Sequence, residues 1–253
     1  MDAVDILLEA RHSHRPLRHM GAAAPADVAA GYVIQRRLAE RIGACPPAGF
    51  KIGATTKQMQ AYLGLDGPAA GFVPGSSLNA SGFDVPYGPF NAPGVECEIA
   101  VRLGADLPFG PCDVARAAAA VAAVMPAIEI VENRYAELAA FGTPSLIADQ
   151  VFHASGVLGE ALTDWRGLDL EGTRGEIFVD GESRGSGHGR DLLGGPLRAL
   201  AWLAGSPAAE VFGGLRAGQV IWLGSVTPPI WLNGPCAVRV SFAGLGDAGL
   251  TFH

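Results

Sequence analysis

Val95-Glu96-Cys97-Glu98-Ile99-Ala100-Val101 decides the reading of this chain. Pro93-Gly94 punctuates its start, and small or branched apolar residues fill most of it, so it predicts a β-strand. Side chains alternate between faces along a strand, which puts Glu96 and Glu98 on one face, about 7 Å apart at a rise of ~3.3 Å per residue. Val95, Cys97, Ile99 and Val101 take the other face. Two neighbouring carboxylates on an apolar strand repel each other, and burying them unpaired is costly. A positive group is therefore expected between them. The alternative is a half-exposed strand whose carboxylates are solvated.

Pro126-Ala127-Ile128-Glu129-Ile130-Val131 repeats the oddity, an apolar run with one carboxylate. Three carboxylates on strands, with no dense set of His or Cys, point to a hard cation with oxygen ligands: Mg²⁺ first, Mn²⁺ next, Ca²⁺ third.

The surrounding chain can support such a site. It has 253 residues, 49% of them hydrophobic and 17% charged, enough for one large packed unit or a core with an appendage. Thirty-five Gly and 18 Pro imply many turns and a β-rich or mixed fold. A net charge of −7 argues against nucleic acid and offers no basic patch to a membrane. Cys45, Cys97, Cys112 and Cys236 form no C-x-x-C pair, so free thiols are expected. Met1 to Asp5 carries two acids and no signal-peptide pattern, and the expected location is the cytoplasm.

Upstream, residues 1–45 read as helical. Ile6, Leu7 and Leu8 start a short helix, and a longer one runs from about Asp27 to Ile42. Gly49-Phe50-Lys51-Ile52-Gly53 is a short apolar segment holding one lysine. Lys51 either snorkels to water or is a desolvated cation aimed at a carboxylate. Thr55 or Thr56 caps a helix over Lys57 to Leu63. Residues 66–94 read as loop. The division expected is an N-terminal helical extension over 1–75, carrying the Lys51 segment, and a β-rich core over 76–253.

Downstream, Asp113 caps an alanine-rich helix to about Val124, directly before the Glu129 strand. His153 is either a site group or a core histidine. Ile177 to Arg184 is a hairpin turning at Asp180-Gly181. Gly185 to Arg190 is too glycine-rich for an element and lacks the ending of a phosphate loop. Pro196 opens a helix through Leu203. The last third is β, with strands at Val220–Leu223, Ala237–Phe242 and Leu250–Phe252. Between the first two of these, Ser225 and Thr227 place hydroxyls where a ligand could meet them.

Taken together, Gly49 to Gly53, Val95 to Ala100, Pro126 to Val131, Ile147-Ala148-Asp149, Leu193 to Leu197, Ala199 to Ala204, Gly224 to Thr227 and Phe242 to Gly246 resemble, in this order, the 2-keto-4-pentenoate hydratase/4-oxalocrotonate decarboxylase group of the fumarylacetoacetase superfamily. The resemblance spans nearly the whole chain. It implies an α+β fold, a mixed β-roll with an N-terminal helical extension. It implies that Glu96, Glu98 and Glu129 hold Mg²⁺ or Mn²⁺, and that Lys51 binds the substrate carboxylate or transfers a proton. Arg134 and Asp149 match positions expected near the site and are the further catalytic candidates. Ser225, Thr227 and His153 complete the substrate-binding set.

The activity implied is a metal-dependent hydratase of unsaturated 2-oxo acids from aromatic catabolism. The alternatives are decarboxylation, C–C hydrolysis with His153 or His188 as base, or a non-catalytic 2-oxo-acid-binding partner subunit. A homo-oligomer and association with a related decarboxylase or hydratase are also implied. Three departures stand out. Glu132-Asn133-Arg134 replaces the usual Asp-Ser-Arg, and Asp149-Gln150 replaces Asp-Asn. The Pro68 to Gly71 segment lacks the acid that many hydratases carry there, and a missing proton relay is typically worth ~10²–10⁴ in rate.

Overall fold

The computed structural model describes residues 1–253. The chain begins with α1 (Ala3–Ser13), capped by Asp2, and α2 (Val28–Arg41), capped by Asp27, whose side chain accepts from the Ala30 amide. Then come β1 (Gly49–Gly53), α3 (Lys57–Leu63), β2 (Ala69–Val73), β3 (Leu78–Ala80), β4 (Phe83–Val85) and β5 (Pro93–Leu103). The middle holds α4 (Val114–Ala120), β6 (Val121–Glu132), α5 (Leu138–Phe141), α6 (Thr143–Ala148) and β7 (His153–Leu158). The rest is β8 (Arg174–Val179), β9 (Glu182–His188), α7 (Pro196–Ala204), α8 (Pro207–Phe212), β10 (Val220–Ser225), β11 (Ile230–Trp231), β12 (Cys236–Phe242) and β13 (Gly246–Phe252).

These strands make two sheets of a mixed α+β fold. The larger runs β2-β1-β10-β5-β6-β7-β3, with β11 paired to β5. The smaller runs β4-β13-β12-β8-β9 and packs against β5 and β6. On the outer face of the large sheet, Cys97, Ile99, Ile128, Ile130 and Ile221 join one continuous apolar core with α2, α7 and α8. The inner face carries the carboxylates. No helix is long and apolar enough to cross a membrane, and the four cysteines are unpaired.

Three expectations need correction. Residues 66–94 are not loop: they contain β2, β3 and β4, and β2 pairs antiparallel with β1. Ala69 to Val73 is fully buried, so its small residues reflect close packing rather than exposure. The Lys51 segment is accordingly an interior strand of the large sheet, parallel to β10. The alanine-rich helix ends at Ala120 and not near Val124, because the backbone turns extended at Val121 and β6 starts there. Gly185 to His188 is strand, not an irregular loop, and is held by pairing with β8. A Cβ at Gly187 would lie 1.9 Å from the Val226 carbonyl oxygen, so glycine there marks two backbones in contact.

Candidate metal centre and adjoining cavity

β5 and β6 pair antiparallel with Glu96 opposite Glu129 and Glu98 opposite Ala127. Directly opposed residues share a face, so the three carboxylates converge. Each offers an oxygen within 4.8 Å of the others. Glu98 and Glu129 are fully buried, and Glu96 is half-buried on the cavity wall. Below them, on the same face, Ala100, Met125, Ala127 and Trp222 form an apolar floor.

Two neighbours set the geometry. The Gly224 N–H donates to Glu98 Oε2 at 2.9 Å. Gly224 has φ +107°, and a Cβ there would lie 2.4 Å from Thr55 Cγ2, so only glycine can present this amide. The expected positive group is Lys51, fully buried, with Nζ 3.3 Å from Glu129 Oε1 and donating to the Val151 carbonyl at 2.5 Å. His153 Nδ1 lies 2.8 Å from the same Glu129 oxygen, and its Nε2 lies 3.1 Å from Ser77 Oγ.

Burial pushes Glu96 up to about 8, with repulsion from Glu129 adding to it and Lys51 opposing. Burial first, then Glu129 and Glu96, raises Glu98 well above the ordinary carboxylate range. Burial also acts to raise Glu129, but Lys51 and His153 outweigh it and hold that carboxyl low. One lysine therefore does not neutralise the cluster. Glu98 Oε1 and Glu129 Oε2 are buried without any hydrogen-bond partner. Orphaned buried oxygens are uncommon in folded proteins. Two of them on converging carboxylates fit a hard divalent cation, which Glu96, Glu98 and Glu129 would hold.

Arg134 and Asp149 are brought together, but not into this cavity. Asp149 is buried between Arg134 Nε at 3.0 Å, Arg11 Nη2 at 2.6 Å and the Tyr135 hydroxyl at 2.7 Å. Arg134 Nη1 also donates to the His153 carbonyl at 3.1 Å. Burial acts to raise Asp149, but Arg11 and Arg134 outweigh it and hold the carboxyl below its usual value. This cluster braces the turn Gln150-Val151-Phe152, in which three consecutive residues have φ of 61°, 51° and 67°. Left-handed backbone is strained for such residues, most of all for β-branched Val151. The turn aims the Val151 carbonyl at Lys51.

The cavity has two lobes that share Glu96, Gln58, Met59, Pro228 and Pro229. The polar lobe, about 370 Å³, is lined by Ser225, Thr227, Thr55 and Asp191. The apolar lobe, about 270 Å³, contains Lys51 at its inner end and Phe152 and Trp231 further out. Ser225 and Thr227 thus both line the polar lobe. His153 lines neither lobe, and His188 does not either. Arg11, Asp191, Phe152 and Trp231 escape the sequence pattern. Only Trp231, an aromatic shortly after Pro228-Pro229, offered any signal.

Comparisons with known proteins bear on the family and the fold. The family model for the fumarylacetoacetate (FAA) hydrolase C-terminal region matches residues 48–252. A 2-keto-4-pentenoate hydratase of Burkholderia vietnamiensis is 33% identical over 212 residues, covering 81% of this chain and 77% of that protein. A 4-oxalocrotonate decarboxylase of Pseudomonas putida is 29% identical over 219 residues, covering 87% and 81%. The structure of 4-oxalocrotonate decarboxylase from Pseudomonas putida G7, complexed with magnesium and adipate, superposes with a TM-score of 0.90 at 24% identity, over 99% of this chain and 97% of that one.

Proposed function

Because the chain belongs to the fumarylacetoacetate hydrolase C-terminal family, we propose that it is a divalent-metal-dependent lyase hydrating unsaturated 2-oxo acids of the 2-hydroxypenta-2,4-dienoate type. The observation that carries this reading is the converging trio Glu96, Glu98 and Glu129, with two orphaned buried oxygens and Lys51 3.3 Å from Glu129. The hydratase name of the 33%-identical relative supports the choice of reaction.

When bound, Mg²⁺ or Mn²⁺ supplies Lewis-acid polarisation of the substrate's 2-oxo group. Lys51 Nζ, already oriented by the Val151 carbonyl, holds the substrate carboxylate or moves a proton at the carbon next to the 2-oxo group. Ser225 and Thr227 place hydroxyls along the polar lobe. Asp191 is the one carboxylate of that lobe besides Glu96, and is accessible. It takes the role of the acid absent from Pro68 to Gly71, accepting a proton from the attacking water. His153 orients Glu129, and Arg134 and Asp149 orient the Val151 turn; all three act through other residues.

The test has two readouts. Oxalate, a mimic of the 2-oxo-acid head, is titrated calorimetrically with and without Mg²⁺, and 2-hydroxypenta-2,4-dienoate turnover is followed with CO₂ detection in parallel. Mg²⁺-dependent oxalate binding with turnover and no CO₂ is expected. CO₂ release turns the reading to a decarboxylase. Oxalate binding indifferent to Mg²⁺ makes the carboxylates structural and removes the lyase.

A further inference from the structure

The apolar lobe has a chemistry that the trio does not explain. Its charged groups are Lys51 and Glu96, both at the inner end, and Lys51 is held by Glu129 and the Val151 carbonyl. Outward from them stand Met59, Tyr62, Val131, Phe152, Pro229 and Trp231. The polar lobe adds Asp191 and no cation. With Lys51 engaged at the inner end, a second carboxylate further out on the substrate would find no other counter-charge in either lobe, and desolvating it unpaired is unfavourable.

The wall is built rather than incidental. Trp231 pairs with Gly94 across β11 and β5 and lies over it: a Cβ at Gly94 would be 2.8 Å from Trp231 Cε3 and 3.2 Å from Val131 Cγ2. Gly94 is on the same face of β5 as Glu96, so the indole is fixed beside the trio. Phe152, at the end of the left-handed turn, meets Trp231 edge-on, with centroids 6.2 Å apart and planes at 69°. Trp231 is nonetheless 44% exposed and Tyr62 68% exposed, so aromatic surface is left open at the mouth. The lobe's volume of about 270 Å³ exceeds the ~150 Å³ of an apolar cavity that takes benzene.

We propose that this lobe receives a bulky, uncharged apolar tail on the substrate, an aryl or branched alkyl group, and that Trp231 and Phe152 select for it against a distal carboxylate. The inference rests on the reading that the 2-oxo-acid head binds at the trio, which places the tail in the lobe continuous with Glu96 and Lys51.

The experiment compares three saturated 2-oxo acids by calorimetry on the Mg²⁺-loaded protein, with the EDTA-treated protein in parallel: pyruvate, 2-oxo-4-phenylbutanoate and 2-oxoadipate. Burying a phenyl group is worth about tenfold or more in affinity, so the phenyl compound is expected at least that much tighter than pyruvate. 2-Oxoadipate is expected to be no tighter than pyruvate. In Trp231→Ala the phenyl-to-pyruvate ratio falls toward one, and in Gly94→Ala, where the indole is displaced but present, it falls part of the way. Trp231→Lys shifts the preference toward 2-oxoadipate. A phenyl-to-pyruvate ratio near one in the wild type, an unchanged ratio in Trp231→Ala, or 2-oxoadipate as the tightest wild-type ligand overturns the tail assignment and leaves the metal-centred head site standing. Absence of Mg²⁺-dependent binding for all three acids overturns the head site, and the tail assignment falls with it.

Discussion

Lys51 donates a hydrogen bond to the carbonyl of Val151, a residue one hundred positions further along the chain and held at φ +51°. The strained turn is therefore part of the lysine's positioning. Lys51→Met removes the donor and the cation together. Turnover should fall by about 10²–10⁴. The metal-induced rise in Tm should persist or grow, since a positive neighbour of Glu129 is gone. Kinetics alongside thermal melts with Mg²⁺ separates the two effects.

Mutual repulsion in the trio predicts a large response to cations. At a hundred times the Kd, Mg²⁺ or Mn²⁺ should stabilise the protein by about 2.7 kcal/mol. EDTA should reverse the shift. Glu98→Gln should melt no lower than wild type without metal, because burial and its carboxylate neighbours already disfavour the charged form of that side chain, and should lose the metal response. A normal metal shift in that variant would remove Glu98 from the ligand set.

Gly224 gives a test by backbone. In Gly224→Ala the new methyl meets Thr55 Cγ2, and φ +107° is closed to alanine. The amide must leave Glu98 Oε2, so metal affinity should drop with all three ligands still present. The strain itself should cost about 1–3 kcal/mol, read from urea unfolding.

The Asp149 cluster should govern acid stability. Its folded pKa lies below the unfolded value of about 3.9, so its contribution is complete above that pH and is lost as pH falls through the folded value. Asp149→Asn strands Arg11 and Arg134 and should cost about 3–5 kcal/mol at pH 7. Its stability should then depend less on pH between about 5 and 2 than that of the wild type. Parallel urea titrations across that range decide it.

Asp191→Asn addresses water addition alone. Oxalate affinity should stay within about twofold, and hydration should slow by about 10²-fold or more. Undiminished turnover would send the search for the base elsewhere in the polar lobe.

The centre was legible because alternation in β5 and β6 is a local signal: Glu96, Glu98 and Glu129 interrupt apolar runs whose period is readable. Lys51 was legible as an anomaly, but its partner was not, since the Val151 carbonyl comes from backbone conformation. β9 was misread because Gly187 answers to the Val226 backbone and Gly185 faces the Thr227 side chain, both distant in the chain. β2 was misread because Ala69 to Val73 gains its order from β1. Arg134 and Asp149 were placed near the chemistry by resemblance, whereas their hydrogen bonds put them behind the turn. The tail lobe draws on α3, the Val151 turn and β11, and no window of sequence spans these.

The seating of Trp231 on Gly94 has an evolutionary corollary. The three converging carboxylates belong to two long, mutually paired strands, while the indole arrives on a two-residue strand that follows a proline turn. If Trp231 selects the substrate's tail as proposed, mutations in that short appendage exchange one clientele of molecules for another without retuning the electrostatics at the centre. Descendants of such a scaffold can diversify by redrawing the doorway while inheriting the hearth unchanged.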